Sequence, residues 1–103
     1  KAMQEGYKVA TNVPLETVEY CKQALEVCQD ISKIMDQSMA SDVGSGALMA
    51  NAGAIAAAFN VKINLKEITD ESYCKITKES LEEMLAKSKG LSDKIIKSVE
   101  KTL

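Results

Sequence analysis

Few side chains in these 103 residues combine a reactive or strongly hydrogen-bonding group with informative spacing. Asp42 follows Ser41 ahead of a long apolar run, Asn60 and Asn64 stand one helical turn apart at its exit, and Lys62 and Lys66 repeat that interval beside them. A carboxylate can move protons and steady a cation. A primary amide donates and accepts at once. What is missing narrows the chemistry further. The chain has no Arg to grip carboxylate or phosphate bidentately, and no His to shuttle protons near neutrality or to bind metal. Any catalysis must use carboxylate, Lys, Tyr, Cys or backbone.

The three cysteines, Cys21, Cys28 and Cys74, form no close pair, so neither a disulfide framework nor a metal site is expected. Cys21 and Cys28 are seven apart and read as small core residues on one helical face. A reducing cytoplasm fits this usage. The formal net charge is −2, with Lys and acidic residues interspersed, which leaves no basic stripe for nucleic acid and no polybasic membrane anchor. The opening KAMQEGYK lacks the apolar stretch of a secretory signal. Val43 to Phe59 has the length of a short membrane span, but Ser45 and Asn51 interrupt it and Ala and Gly dominate it. A buried helix of a soluble protein is the expected outcome, with no membrane partner.

Helices must position these residues. Pro14 predicts a helix that starts at or kinks around it after a helical lead-in over Ala2 to Ala10. Leu15, Val18, Cys21, Leu25, Cys28, Ile31 and Met35 then recur at spacings of three and four, an apolar seam that predicts helix to about Met35. Asp36 to Ser38 reads as a connection, with Ser38 or Ser41 as cap for the next helix. That central helix runs to Asn60 or a little beyond, and the VKIN stretch is read as its end rather than as a strand. Thr69 or Asp70 caps a last helix with Leu81, Met84, Leu85, Leu91, Ile95 and Val99 on one face, loosened or broken at Gly90. Gly46, Ala50, Gly53 and Ala57 leave a smooth stripe suited to close helix packing. Asn51 reads as a satisfied buried polar group or an intersubunit contact.

The expected class is all-α, a multihelical bundle of four helices around a buried Ala/Gly-rich central one. A 25-residue helix is about 37 Å long, and a last helix of about 30 residues reaches about 45 Å. A compact chain of this length has a diameter near 34 Å. Helices that overhang their own globule predict additional polypeptide, dimerisation, or both.

The strings VPLETVEYCKQALEV and SDVGSGALMANAGAIAAAFNVKINLKEITDE carry a resemblance. They resemble the C-terminal half of the cyclodeaminase and methenyltetrahydrofolate cyclohydrolase family, which includes the cyclodeaminase domain of formiminotransferase-cyclodeaminase and bacterial serine-cycle proteins. The matching positions are Val13 to Leu15, Ser41 with Asp42, Asn60 to Leu65, and Ile68 to Glu71, and the resemblance spans about Glu5 to Ser72. The resemblance implies that residues 1–103 are half of one helical, homodimeric domain. It implies folate one-carbon chemistry, cyclohydrolase or cyclodeaminase, with a tetrahydrofolate derivative as substrate and no separate cofactor. The family's Pro-Gly-Gly-Gly-Ser loop and its acid/base Asp have no counterpart here, so the chain alone is expected to be inactive. Asp42 then becomes a supporting carboxylate, Asn60 and Asn64 contacts to the pterin edge, and Lys62 and Lys66 contacts to the glutamate tail. Each also has a plain structural reading: a helix-start carboxylate, amides tying off a helix end, and surface lysines near a helix C-terminus. The alternative function is a noncatalytic helical dimerisation module.

Overall fold

The spacing of apolar residues translates directly into the computed structural model, which describes all residues from Lys1 to Leu103. Three helices account for nearly the whole chain: α1 (Ala2–Ser32), α2 (Gln37–Leu65) and α3 (Glu71–Thr102), with no strand. Short turns make consecutive helices antiparallel, giving an up-down-up rod of 55 × 17 × 16 Å. Its radius of gyration is 16.2 Å, against about 13 Å for a compact chain of this length. The overhang expected from helix lengths is therefore present.

Three expectations about boundaries need correction. The lead-in and the seam are one helix, so there are three helices rather than four, and Pro14 lies inside α1. Proline normally breaks a helix because it lacks the N–H that would bond the carbonyl four residues back, here that of Ala10. That carbonyl instead accepts a hydrogen bond from Asn64 Nδ2 of α2 at 3.3 Å. The second correction concerns α2, which starts at Gln37 with Asp36 as N-cap; the carboxylate accepts from the Met39 N–H at 3.2 Å. Ser38 serves that cap by donating to the same Asp36 oxygen at 2.6 Å, and this hydroxyl is the main cause of a lowered Asp36 pKa. Ser41 and Asp42 consequently sit in the second turn and cap nothing. Thirdly, Gly90 does not break α3, which is continuous from Glu71 under an Asp70 cap that accepts from the Tyr73 N–H at 3.1 Å.

The core forms two clusters along the rod. One gathers Val18, Ala54, Ala58, Val61, Leu65, Leu81 and Met84 with neighbours; the other gathers Leu25, Ala40, Val43, Ala47, Ile95 and Val99. On α3 the stretch between Met84 and Ile95 contributes the buried Ser88 and Ser92. The small-residue stripe of α2 works as expected: a Cβ at Gly53 would lie 3.2 Å from Cys21 Sγ, and one at Gly46 3.8 Å from Cys28 Sγ. Both pairs obey one antiparallel register, so the two thiols fill the notches left by the two glycines. Gly44 does the same for α3, where a Cβ would meet Val99 at 3.1 Å. Cys74 lies half-buried where α2 ends, its thiol directed to the carbonyls of Leu65 and Ile68 at 3.6 and 3.5 Å.

Within this chain α2 is covered on one side only. Its opposite side shows Leu48, Met49, Phe59 and Ile63 to solvent, and the adjoining edge of α1 shows Val13, Tyr20 and Val27, one per seven residues. By length and composition α2 could cross a membrane. Its contacts with α1 and α3 through Gly44, Gly46 and Gly53 instead make it the helix on which the others pack. The accessible surface is 6584 Å², whereas a compact monomer of 11.2 kDa exposes about 5,700 Å². The difference, roughly 900 Å², resembles one side of a standard protein interface.

Candidate functional site

The break in the α1 hydrogen-bond ladder creates the largest concavity. Opposite Pro14, α2 offers Gly53, Ala56 and Ala57, residues too small to fill the space beside the proline ring. A cleft of about 530 Å³ opens there, lined by Ala10, Val13, Pro14 and Thr17 of α1 and by Gly53, Ala56, Ala57, Asn60 and Asn64 of α2. That volume suits a small heterocyclic ligand. Its walls are mostly flat and apolar, and its side-chain polar groups are the amides of Asn60 and Asn64 and the Thr17 hydroxyl, which donates to the Val13 carbonyl at 3.0 Å. None of the nine lining residues titrates near neutral pH, so what this chain presents is a binding surface.

A polar clasp fixes the end of α2 that carries the two asparagines. Gln4 Nε2 donates to the Glu67 carbonyl at 2.8 Å, and the Thr69 N–H donates to Gln4 Oε1 at 2.9 Å. Lys8 Nζ donates to Asp70 Oδ2 at 2.9 Å and lies 5.1 Å from the Tyr73 ring centroid. The Lys8 hydrogen bond, followed by the Tyr73 N–H, holds the Asp70 carboxyl below its ordinary pKa of 3.8, and the same bond to Asp70 raises Lys8 above 10.5. Asp70 thus caps α3 and ties it to α1.

The sequence candidates separate into three places. Asn60 and Asn64 meet in the cleft. Lys62 and Lys66 lie on the opposite flank of α2, around a second cavity of about 280 Å³ with Leu65, Cys74 and Lys78. Asp42 is exposed near the other end of α2, 18 residues and so about 27 Å of helix from Asn60. The chain therefore does not bring Asp42 to either lysine or asparagine. Asn51 is half-buried on α2. Sequence reading missed Thr17, Pro14 and Lys78 as wall residues. Pro14 carried the available signal, since a proline inside an apolar seam demands a partner for one carbonyl; Lys78 depends on the pairing of α2 with α3. No group of His, Cys, Asp and Glu side chains is arranged to hold a metal ion.

Comparison with known proteins gives this architecture relatives. The chain is similar to a methenyltetrahydrofolate cyclohydrolase of Methylorubrum extorquens, 31% identical over 95% of this chain and 47% of that protein. It is similar to a formimidoyltransferase-cyclodeaminase of Rattus norvegicus, 31% identical over 96% of this chain and 18% of that protein. The crystal structure of a formiminotetrahydrofolate cyclodeaminase from Thermotoga maritima superposes with a TM-score of 0.91 at 31% identity, covering 94% of this chain and 49% of that one. The chain thus spans about half of the bacterial relatives and under a fifth of the rat protein. The model of the formiminotransferase-cyclodeaminase family matches residues 1–98, the whole three-helix unit up to the last turn of α3, and the chain belongs to that family.

Proposed function

We propose that this chain is the C-terminal half of a helical domain that acts in folate one-carbon metabolism, as a methenyltetrahydrofolate cyclohydrolase or a formiminotetrahydrofolate cyclodeaminase. The observation that carries the reading is the α1–α2 cleft with its two amides, in a chain whose backbone follows a cyclodeaminase at a TM-score of 0.91. The cyclohydrolase reaction adds water to a cationic amidinium carbon and opens the ring. The cyclodeaminase reaction closes a ring at a formimino carbon and expels ammonia. Both require proton transfer and stabilisation of a tetrahedral intermediate, with the tetrahydrofolate derivative as substrate and no cofactor.

The cleft holds the pterin, whose amide edge matches a primary amide and whose face matches the proline ring. Phe59 and Ile63, on the exposed side of α2, form a lane for the benzoyl group toward the opposite flank. Lys62 and Lys66, joined by Lys78, meet the carboxylates of the glutamate tail. The acid/base Asp comes from the other half of the domain, whose helices cover the outer face of α2, so the chain alone is inactive. Asp42 serves that half, or a second copy across a homodimer interface, in a supporting role. The setting is cytoplasmic. Turnover of methenyltetrahydrofolate, or of formiminotetrahydrofolate, by the soluble full-length protein in a spectrophotometric assay is the test; failure with both sinks the enzymatic reading. A cleft without a titratable group is also what a noncatalytic dimerisation module would retain. A well-folded dimer that turns over neither substrate would support that module.

A further inference from the structure

The two asparagines of the cleft do different work. Pro14 leaves the Ala10 carbonyl without a helical donor, and Asn64 Nδ2 supplies one from α2 at 3.3 Å. One of the two N–H donors of Asn64 is thereby committed to backbone. Asn60 stands one turn earlier on the same flank of α2, in the same cleft, where it has no hydrogen bond within the chain. From this we infer that Asn60 reads the ligand, while Asn64 is a positioning residue that keeps the Ala10 carbonyl satisfied when a ligand displaces water from the cleft. The assignment to Asn60 rests on the folate reading above; the pairing of Asn64 with Pro14 does not.

The division follows from what each state of the cleft offers that carbonyl. In the empty cleft, water can reach the exposed Ala10 and satisfy its oxygen. A planar ligand lying on the Pro14 ring expels that water and brings no donor of its own to a site aimed at α1. An acceptor stripped of water without a partner is penalised, so the Asn64 amide matters most in the complex. Asn60 presents a carbonyl and an NH2 together, the pair that binds a donor and an acceptor side by side on one edge of a heterocycle. A lactam N–H next to its C=O, or an amidine nitrogen next to an amino group, is the matching chemistry. Replacement of Asn60 by Asp keeps the shape and turns a donor into an acceptor.

The experiment uses the full-length protein with tetrahydrofolate as probe, with calorimetric affinity and thermal unfolding measured on the same preparations. Asn60→Asp is expected to lose about tenfold or more in affinity with an unchanged melting temperature. Asn64→Ala is expected to lose roughly threefold to tenfold in affinity. Pro14→Ala supplies an N–H to the Ala10 carbonyl, so Pro14→Ala with Asn64→Ala should bind within about twofold of Pro14→Ala alone. A merely structural Asn64 would lower melting temperature and affinity in both backgrounds alike. Loss without rescue by Pro14→Ala overturns the positioning role, and wild-type affinity in Asn60→Asp overturns the reading role. If the wild type does not bind tetrahydrofolate, the folate reading falls together with the role of Asn60. The coupling of Asn64 to Pro14 is then decided by unfolding alone, where additive effects of the two substitutions overturn it.

Discussion

Ser88→Ala should stabilise the fold, and the size of the gain can be worked from its surroundings. Ser88 is fully buried, and its Oγ has no hydrogen-bond partner. An unsatisfied buried hydroxyl carries a penalty of about 1–3 kcal/mol relative to solvent. Removing the oxygen leaves a void of order 10 Å³, which at about 24 cal/mol per Å³ costs only a few tenths of a kcal/mol. Ala is also the better helix former, by about 0.5 kcal/mol at an interior position such as this. The sum is a net stabilisation of about 1–3 kcal/mol. For a domain twice this length, that is a rise of about 2–12 °C in melting temperature. Urea titration followed by circular dichroism reads it as a higher midpoint at unchanged slope. A Ser88→Ala protein destabilised by about 1 kcal/mol or more would falsify the reasoning, because it would mean that the hydroxyl back-bonds to a carbonyl one turn earlier and that the void dominates.

Two further outcomes follow from the caps and the exposed faces. Asp70 has its pKa lowered by Lys8, so its contribution is present above its unfolded value and is lost as pH falls through the folded one, below 3.8; Lys8 is raised, so its contribution is lost as pH rises through a value above 10.5. Asp70→Asn keeps an N-cap but no charge, and should flatten both the acid and the alkaline limb of the urea midpoint plotted against pH; a profile that keeps the wild-type shape would assign those limbs to other groups. Gly90→Ala places a Cβ where nothing lies within 4 Å, in a helical residue on the polar side of α3, and should raise stability by about 1 kcal/mol, measurable as a higher urea midpoint.

The helices were legible because their burial is periodic, and burial is what the apolar spacing of α1 and α3 records. Asp70 was legible as a cap because it precedes a polar first turn and has few rivals. The start of α2 was not, since Asp36, Ser38 and Ser41 are all competent caps and only the path of the preceding turn selects Asp36. Pro14 misled for a related reason. Local chemistry says that a proline interrupts a helix, and the contact that offsets it comes from a residue 50 positions away. The cleft was half legible: Asn60 and Asn64 stood out by type and spacing, but whether an amide is free or committed depends on which backbone atom faces it. Lys62 and Lys66 fell on the other flank of α2 because neighbours two residues from Asn60 and Asn64 point roughly 160° away on a helix.

The exposed edge of α1 constrains whatever lies against it. Val13, Tyr20 and Val27 repeat at seven residues, slightly less than two full turns. On a straight helix such a line drifts by about 20° per repeat, hence about 40° over the two repeats from Val13 to Val27. A straight partner laid parallel to α1 would meet this edge at one end and leave it at the other. Continuous contact requires either a left-handed superhelical path or a crossing near +20°, the geometry in which side chains of one helix seat between those of the next. The handedness of the neighbouring layer is therefore written into the spacing of three apolar residues.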